Sequence, residues 1–152
     1  IVALIIDDAG PTLAAIANEL LLECYGARFT VEIITQIRTT TGALKEGFDV
    51  VVHDSRDNSS KSVAVMSGGE RIWIEQSVIR AISIHLAHRS GRQYLSLVSD
   101  EADGALDEDN KRLFVTMLRK ALHIGEFEQQ IFISQSPELW AMADKAIDVT
   151  TL

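Results

Sequence analysis

Met66-Ser67-Gly68-Gly69-Glu70, running straight into Arg71-Ile72-Trp73-Ile74, is the stretch on which the reading of this chain turns. A serine and two glycines ahead of an apolar, helix-forming run make an anion cradle. Glycine lets a ligand approach the backbone, and the free N–H groups and dipole of a helix start favour negative charge. The same residues also make an ordinary N-cap and turn, so a second mark is needed. It lies downstream, where the apolar run Tyr94 to Val98 predicts a strand that ends on Ser99-Asp100-Glu101. Two carboxylates at a strand end suit a magnesium ion and a water that must lose a proton, although a solvated loop has the same composition. A helical run from about Glu70 to His88 joins the two marks. Cradle and carboxylate pair together point to a nucleoside triphosphate and its hydrolysis.

The bulk numbers fit that reading. The chain has 152 residues, 47% of them hydrophobic, enough for one domain with its own core rather than disorder. No apolar run reaches the length of a membrane span, and no signal peptide pattern is present. The chain opens on Ile1-Val2-Ala3-Leu4 with no initiator methionine, which is expected of a piece of a longer protein. The single cysteine, Cys24, excludes an internal disulfide and fits a buried thiol in a reducing cytoplasm. A formal charge of −8 does not attract nucleic acid broadly, so any DNA contact is local or supplied by other parts.

Taken in order, Ile1 to Ile6 reads as a short strand, broken at Asp7-Asp8-Ala9-Gly10-Pro11. An amphipathic helix follows from Pro11 to Cys24, with Leu13, Ile16, Ala17, Leu20 and Leu21 at helical spacing. Gly26 ends it. Arg28 to Ile37 and Phe48 to His53 read as an antiparallel hairpin joined by a polar turn from Thr39 to Gly47, with a polar loop from Asp54 to Lys61. The helix after Ser67 is apolar over much of its surface and is expected to be largely buried. The run Tyr94 to Val98 suits a parallel strand buried on both faces. A helix from Glu108 to Leu122 with Leu113, Met117 and Leu118 inward is next, then a strand Ile131 to Ser134, a short helix Pro137 to Ala143 and a last strand Ile147 to Val149. Strand and helix alternating from Tyr94 onward is α/β.

Met66 to Glu70 resembles the signature motif of ABC-type ATPases. Leu95-Ser96-Leu97-Val98-Ser99-Asp100-Glu101 resembles their Walker B strand, and Gly104-Ala105-Leu106-Asp107 resembles their D-loop, in the same order. The whole chain resembles the C-terminal lobe of an SMC-like ATPase head, closest to the SbcC type of DNA double-strand break repair. Asp-Glu-Ala-Asp-Gly-Ala-Leu-Asp is nearer to SMC-like heads than to membrane transporters, which usually carry proline where Ala102 stands.

The resemblance implies a single C-terminal lobe over residues 1–152, α/β with an N-terminal helix and hairpin, that completes a P-loop NTPase head together with an N-terminal lobe and a coiled coil. It implies two heads that sandwich ATP and Mg²⁺. In that arrangement Ser67, Gly68, Gly69 and Glu70 form the cradle for the nucleotide of the partner head. Asp100 would hold the metal, Glu101 would polarise the attacking water, and Asp107 would sit across the dimer interface. A metal-dependent nuclease subunit and DNA are the implied partners, in a cytoplasmic, nucleoid-associated complex.

Two departures from the family pattern stand out. Gly42-Ala43-Leu44-Lys45-Glu46-Gly47 has the glycine spacing of a P-loop, but Phe48-Asp49 follow instead of lysine and a hydroxyl residue, so it reads as the hairpin turn. Gln135, in Ile131-Phe132-Ile133-Ser134-Gln135, stands at the switch position, where the family usually has histidine. Glutamine can donate a hydrogen bond to a phosphate but cannot relay a proton. His85 and His88 lie three apart on one helix without an evident third ligand, which favours a structural role. Lys111-Arg112 and Arg119-Lys120 could meet DNA phosphates or form a solvated face. Trp73 and Trp140 could stack on a base or pack in the core. Three functions therefore stay open: an ATPase head that opens DNA for a nuclease, an SMC-type DNA-tethering ATPase without one, and a transporter nucleotide-binding subunit.

Overall fold

The structure, a computed structural model, describes the backbone of residues 2–38, 44–100 and 106–149, and side chains at 9–34, 47–100, 106–107 and 110–149. Helix α1 spans Val2–Tyr25. The expected strand at Ile1 to Ile6 is therefore helix from Val2 onward, and Pro11 lies inside α1 rather than at its start. Proline removes one intrahelical hydrogen bond. The long stripe Ala9, Leu13, Ala17, Leu20, Leu21 and Cys24, buried on one face, carries the helix through it. Gly26, at φ 78, ends α1 by donating its N–H to the Leu22 carbonyl. Burial pushes the Cys24 thiol up to about 12, so it stays protonated as a packing group.

A three-stranded antiparallel meander packs on α1: β1 (Phe29–Arg38), β2 (Leu44–Asp54) and β3 (Ser59–Ser62). Val31 pairs with Val52 and Ile33 with Val50, which puts the buried apolar residues of both strands on the face toward the helix. Asn18 of α1 clamps β1: its Oδ1 accepts from the Val31 N–H at 2.7 Å and its Nδ2 donates to the Val31 carbonyl at 3.0 Å. Two expectations change here. Of the expected turn, residues 39–43 lie outside the described residues and Leu44 to Gly47 belong to β2. The expected loop from Asp54 to Lys61 contributes a third strand, because Ser59 to Ser62 fold back on Val51 to Asp54.

After a 3-10 turn at Val63–Val65, α2 (Gly68–Arg89) buries Trp73, Ile74, Val78, Ala81 and Ile84 against α1 and α3. Strand β4 (Ser96–Asp100) and strand β5 (Gln129–Ile133) are parallel, with Asp100 beside Ile133, and α3 (Glu108–Gly125) crosses between them. The buried stripe of α3 is Phe114, Met117, Leu118 and Ala121; Leu113, expected inward, turns to the rim because Phe114 takes the core position. A short α4 spans Pro137–Met142.

Strand β4 is not buried on both faces as expected. Leu97 packs on the core, whereas Val98 is 67% exposed beside exposed Ile131 and Ile133. The apolar character of that outer face is a demand for cover that these two strands alone do not meet. Nor do Ile147 to Val149 form a strand: they are exposed and pair with no strand of the described residues. Among the described residues no helix is long and apolar enough to cross a membrane.

The end of α3 generates two opposed stability predictions at adjacent positions. A Cβ on Gly125 would lie 2.1 Å from the buried Phe127 ring, so Gly125→Ala should cost about 1–3 kcal/mol by forcing that ring aside. Glu126 sits in the left-handed region at φ 55, ψ 34. Glu126→Gly should gain up to about 1 kcal/mol, the relief of that conformation less the entropy glycine adds to the unfolded chain. Urea denaturation of the two variants checks both signs.

Candidate functional site

The cradle is the first turn of α2. Ser67 is the N-cap, with extended backbone at φ −62, ψ 147, and its carbonyl receives the first helical bond, from the Arg71 N–H at 2.8 Å. The amides of Gly68, Gly69 and Glu70 therefore precede every intrahelical acceptor. Ser67 does not cap them. Its hydroxyl donates instead to the Glu70 carboxylate at 2.9 Å. Ser67, Gly68 and Gly69 are exposed, and a Cβ built on either glycine meets nothing within 4 Å. The two glycines leave open space above the helix dipole, which is what an incoming phosphate needs.

Glu70 is the anchor of this turn. Its Oε1 lies 2.6 Å from the Arg28 guanidinium, which also grips Asp54 with Nε at 3.1 Å and Nη2 at 2.8 Å from Oδ2. Asp54 is only 3% exposed and also accepts from the Arg56 N–H at 3.0 Å. Arg28 stacks 4.2 Å over the Phe29 ring, which in turn stacks on Tyr25. One cation thus ties the start of β1, the end of β2 and the first turn of α2. Arg28 and Asp54 escaped the sequence reading because a lone arginine after a helix and an aspartate in a polar loop carry no pattern. Only the register that puts Phe29 opposite Asp54 brings them together.

The carboxylates sit elsewhere. Asp100 ends β4, exposed, and its carboxylate makes no hydrogen bond or ion pair with the described residues. Glu101 lies outside the described residues, as do Asp103, Gly104 and Ala105. Gln135 follows β5 at the same end of the parallel pair, exposed and two residues past the register partner of Asp100. The turn that carries it is fixed by its neighbours: Trp140 Nε1 donates to the Ser134 carbonyl at 2.8 Å, and the Ser136 N–H donates to Ser134 Oγ at 2.9 Å. Ser136 Oγ donates to Glu138 at 2.6 Å, and with the backbone amide of Glu138 and Lys111 it draws the Glu138 carboxyl down to about 2. Asp107 is the N-cap of α3, its Oδ1 accepting from the Asn110 N–H at 2.9 Å.

Cradle and Asp100 are separated. The α2 residues Gln76 to Ser83 face the edge of β4 from Asp100 back to Leu97, so helix and strand run in opposite directions. Ser67 lies nine residues before Gln76, about 14 Å of helix beyond the level of Asp100. A phosphate held at the cradle is out of reach of a metal ion held at Asp100 of the same chain. The residues do fit ATP and Mg²⁺ as two half-sites. One is an open helix start; the other is a single free carboxylate of the kind Mg²⁺ takes beside phosphate oxygens and waters. Among the described residues no three His, Cys, Asp or Glu side chains cluster as a metal cage.

Other sequence candidates are accounted for structurally. Trp73 is core, and Trp140 pins the turn after β5. Lys111 pairs with Glu138, Arg119 with Asp144, and Lys120 with Glu19 at 2.9 Å. Three of the four lysines and arginines on α3 are thereby matched by acids.

Hydrogen bonding from Arg28 holds Asp54 below the usual carboxylate range, and the Ser67 hydroxyl, then Arg28, does so for Glu70. The stability these groups contribute is full above the unfolded carboxylate values near about 4 and is lost as pH falls through their depressed folded values. Arg28→Met should lower the melting temperature at pH 7, with the deficit shrinking below about pH 4. Thermal melts by circular dichroism across that range check it; a deficit independent of pH would leave only lost packing.

No protein-family model and no curated protein matches this sequence. Solved structures do. A structure from work on ATP-driven dimerization and DNA-stimulated activation of SMC ATPases aligns over 96% of this chain and 81% of its own, with TM-score 0.68 and 16% identity. The Smc head domain of Pyrococcus furiosus, with an extended coiled coil and bound to the C-terminal domain of ScpA, aligns over 93% of this chain at TM-score 0.62 and 16% identity. The SMC head domain of Thermotoga maritima aligns over 93% of this chain at TM-score 0.56 and 16% identity. The chain spans 32% of the Pyrococcus chain and 44% of the Thermotoga chain. The fold is thus that of an SMC-like ATPase head, over the portion that this α/β lobe covers.

Proposed function

We propose that this chain is the C-terminal half of an ATPase head whose ATP is hydrolysed at the interface between two heads. The observation that carries the proposal is the separation of an open cradle at Ser67 to Gly69 from the carboxylate at Asp100. Two half-sites on one lobe that cannot share a nucleotide can each serve a different one. The cradle amides receive the terminal phosphate of ATP held by the partner head, and the Ser67 hydroxyl joins them on turning from Glu70. Asp100 holds Mg²⁺ for the nucleotide held by its own head, and Mg²⁺ neutralises charge on the phosphates. Glu101, next along the chain, takes a proton from the attacking water. Gln135 orients that water or a phosphate oxygen by hydrogen bonding alone. Asp107 lies beside the cradle of the facing head. An N-terminal lobe carrying the P-loop, joined through a coiled coil, completes the head and covers the exposed apolar face of β4 and β5.

At the level of the whole machine, the reading is double-strand break processing in the SbcC manner, with head closure opening DNA for a metal-dependent nuclease in a nucleoid-associated complex. The likeness to Smc heads bound to ScpA supports a second reading, in which ATP clamps two heads around DNA and no nuclease is engaged. Affinity purification of the full-length protein separates them: a phosphodiesterase partner fits the first, a ScpA-like protein the second.

Two substitutions in the full-length protein test the head itself. Glu101→Gln should lower steady-state ATPase activity about 10²–10⁴-fold while ATP-bound dimers accumulate on size exclusion with Mg²⁺. Ser67→Arg should abolish ATP-driven dimerisation and leave ATP affinity of one head nearly intact. Near-wild-type turnover in the first, or equal loss of affinity and dimerisation in the second, would overturn the assignment.

A further inference from the structure

Ser67-Gly68-Gly69-Glu70 has the spacing of a capping box, with a serine at the N-cap of α2 and a glutamate three residues on. In a closed box the serine oxygen accepts from the backbone N–H of the glutamate, and the glutamate carboxylate accepts from the backbone N–H of the serine. Two helix donors are then satisfied from within. Among the described residues neither bond is present. The Ser67 side chain caps nothing. The Glu70 carboxylate is taken up by the Ser67 hydroxyl, at 2.9 Å from Oε2, and by Arg28, at 2.6 Å from Oε1. The box is held open.

The position of Arg28 is set from the sheet side. Asp54, buried at the end of β2, accepts from its Nε at 3.1 Å and its Nη2 at 2.8 Å, and the guanidinium lies 4.2 Å over the Phe29 ring. Tyr25 stacks on Phe29 and contacts the buried Trp73 of α2. The cation thus rests on an aromatic floor and on a buried acid, and Glu70 comes to it rather than the reverse. With one carboxylate oxygen on Arg28 and the other on the Ser67 hydroxyl, neither is on the Ser67 N–H, and the serine oxygen is turned from the Glu70 N–H.

We propose that Arg28 is a positioning residue for the cradle: by holding Glu70 it keeps Ser67 and Glu70 from closing as a capping box over the amides that a partner's phosphate needs. The proposal rests on the head reading for its ligand, but not for its geometry. A closed box competes with phosphate in two ways. It consumes the Glu70 N–H, and it brings an uncompensated carboxylate to the helix start, where the dipole attracts it as it attracts a phosphate. With Arg28 in place the Glu70 charge is balanced. Ser67 can then turn to an incoming phosphate while Glu70 stays on the guanidinium. The fork matters as much as the charge. A guanidinium grips Asp54 and has donors left for Glu70. A lysine ammonium at this position goes to the buried Asp54, whose charge is the costlier one to leave unpaired, and releases Glu70.

The test compares amide hydrogen exchange of the full-length protein with that of Arg28→Lys and Arg28→Met, without nucleotide. Mass spectrometry with electron-transfer fragmentation resolves single residues. Both variants should slow exchange at Ser67 and Glu70 about tenfold, a cap bond expressed as an equilibrium constant, and leave Gly68 and Gly69 fast. A residue that only tied sheet to helix would do the opposite, since its loss loosens the turn and speeds exchange at all four. Arg28→Lys keeps Asp54 paired and serves if the methionine variant does not fold. Adding Glu70→Ala to Arg28→Lys removes the acid of the box and keeps the backbone amide, so the Ser67 amide should return to its wild-type rate. With Mg²⁺ and ATP, Arg28→Lys should need about tenfold more protein to dimerise, and the added Glu70→Ala should recover most of that. Unchanged or faster exchange at Ser67 and Glu70 in Arg28→Lys, slowing at Ser67 that survives Glu70→Ala, or dimerisation of Arg28→Lys at wild-type concentrations would overturn the proposal. A wild type that does not dimerise with ATP would overturn the head reading instead; the exchange comparison, made without nucleotide, decides the capping box on its own.

Discussion

Arg28 is the constraint on which the site depends. A guanidinium has a planar fork for one carboxylate and further donors for a second, and here both are used, on Asp54 and on Glu70. The first partner is buried at the end of β2, so the cation is fixed by the sheet. The second belongs to the first turn of α2, so the sheet fixes the helix start. Glu70 in turn occupies the Ser67 hydroxyl, which is why a good N-cap residue leaves the helix amides open. The cradle is open because its natural plug is engaged elsewhere.

The rest of the lobe is arranged in keeping with a site in two parts. The α1 and α2 helices and the meander share one core, which carries the cradle; β4, β5 and the turn pinned by Trp140 carry Asp100 and Gln135. The helix α2 links the two, and the stretch from Ser67 to Gln76 sets the cradle beyond the level of Asp100. On the proposed reading, something else completes both ends of the lobe. The exposed Val98, Ile131 and Ile133, and an edge of β4 that pairs with no other strand of the described residues, fit that reading in apolar area and in backbone groups.

The sequence made the helices and strands legible wherever one face repeats cleanly. Val31, Ile33, Val50 and Val52 gave the hairpin, and the Ser67 break gave the start of α2. Local pattern misled where tertiary packing overrode it. Asp7 to Pro11 looks like a helix start, but a stripe beginning at Ala9 carries α1 through the proline. Ile147 to Val149 looks like a strand but joins neither sheet of the described residues. Tyr94 to Val98 reads as a strand buried on both sides from its apolar composition, yet Val98 is exposed beside Ile131 and Ile133. Cradle and Asp100 were visible as residue types at element ends. Arg28 and Asp54 were not, since a buried ion pair is defined by partners distant in the chain.

The claim at the centre is that the first turn of α2 binds phosphate held by another head. Hydrogen exchange at the amides of Gly68, Gly69 and Glu70 measures this directly, in the full-length protein with Mg²⁺ and ATP over a range of protein concentrations. Exchange there should slow only as heads dimerise, in step with the dimer fraction. Slowed exchange in monomeric ATP-bound heads, or unchanged exchange in ATP-bound dimers, would contradict the account.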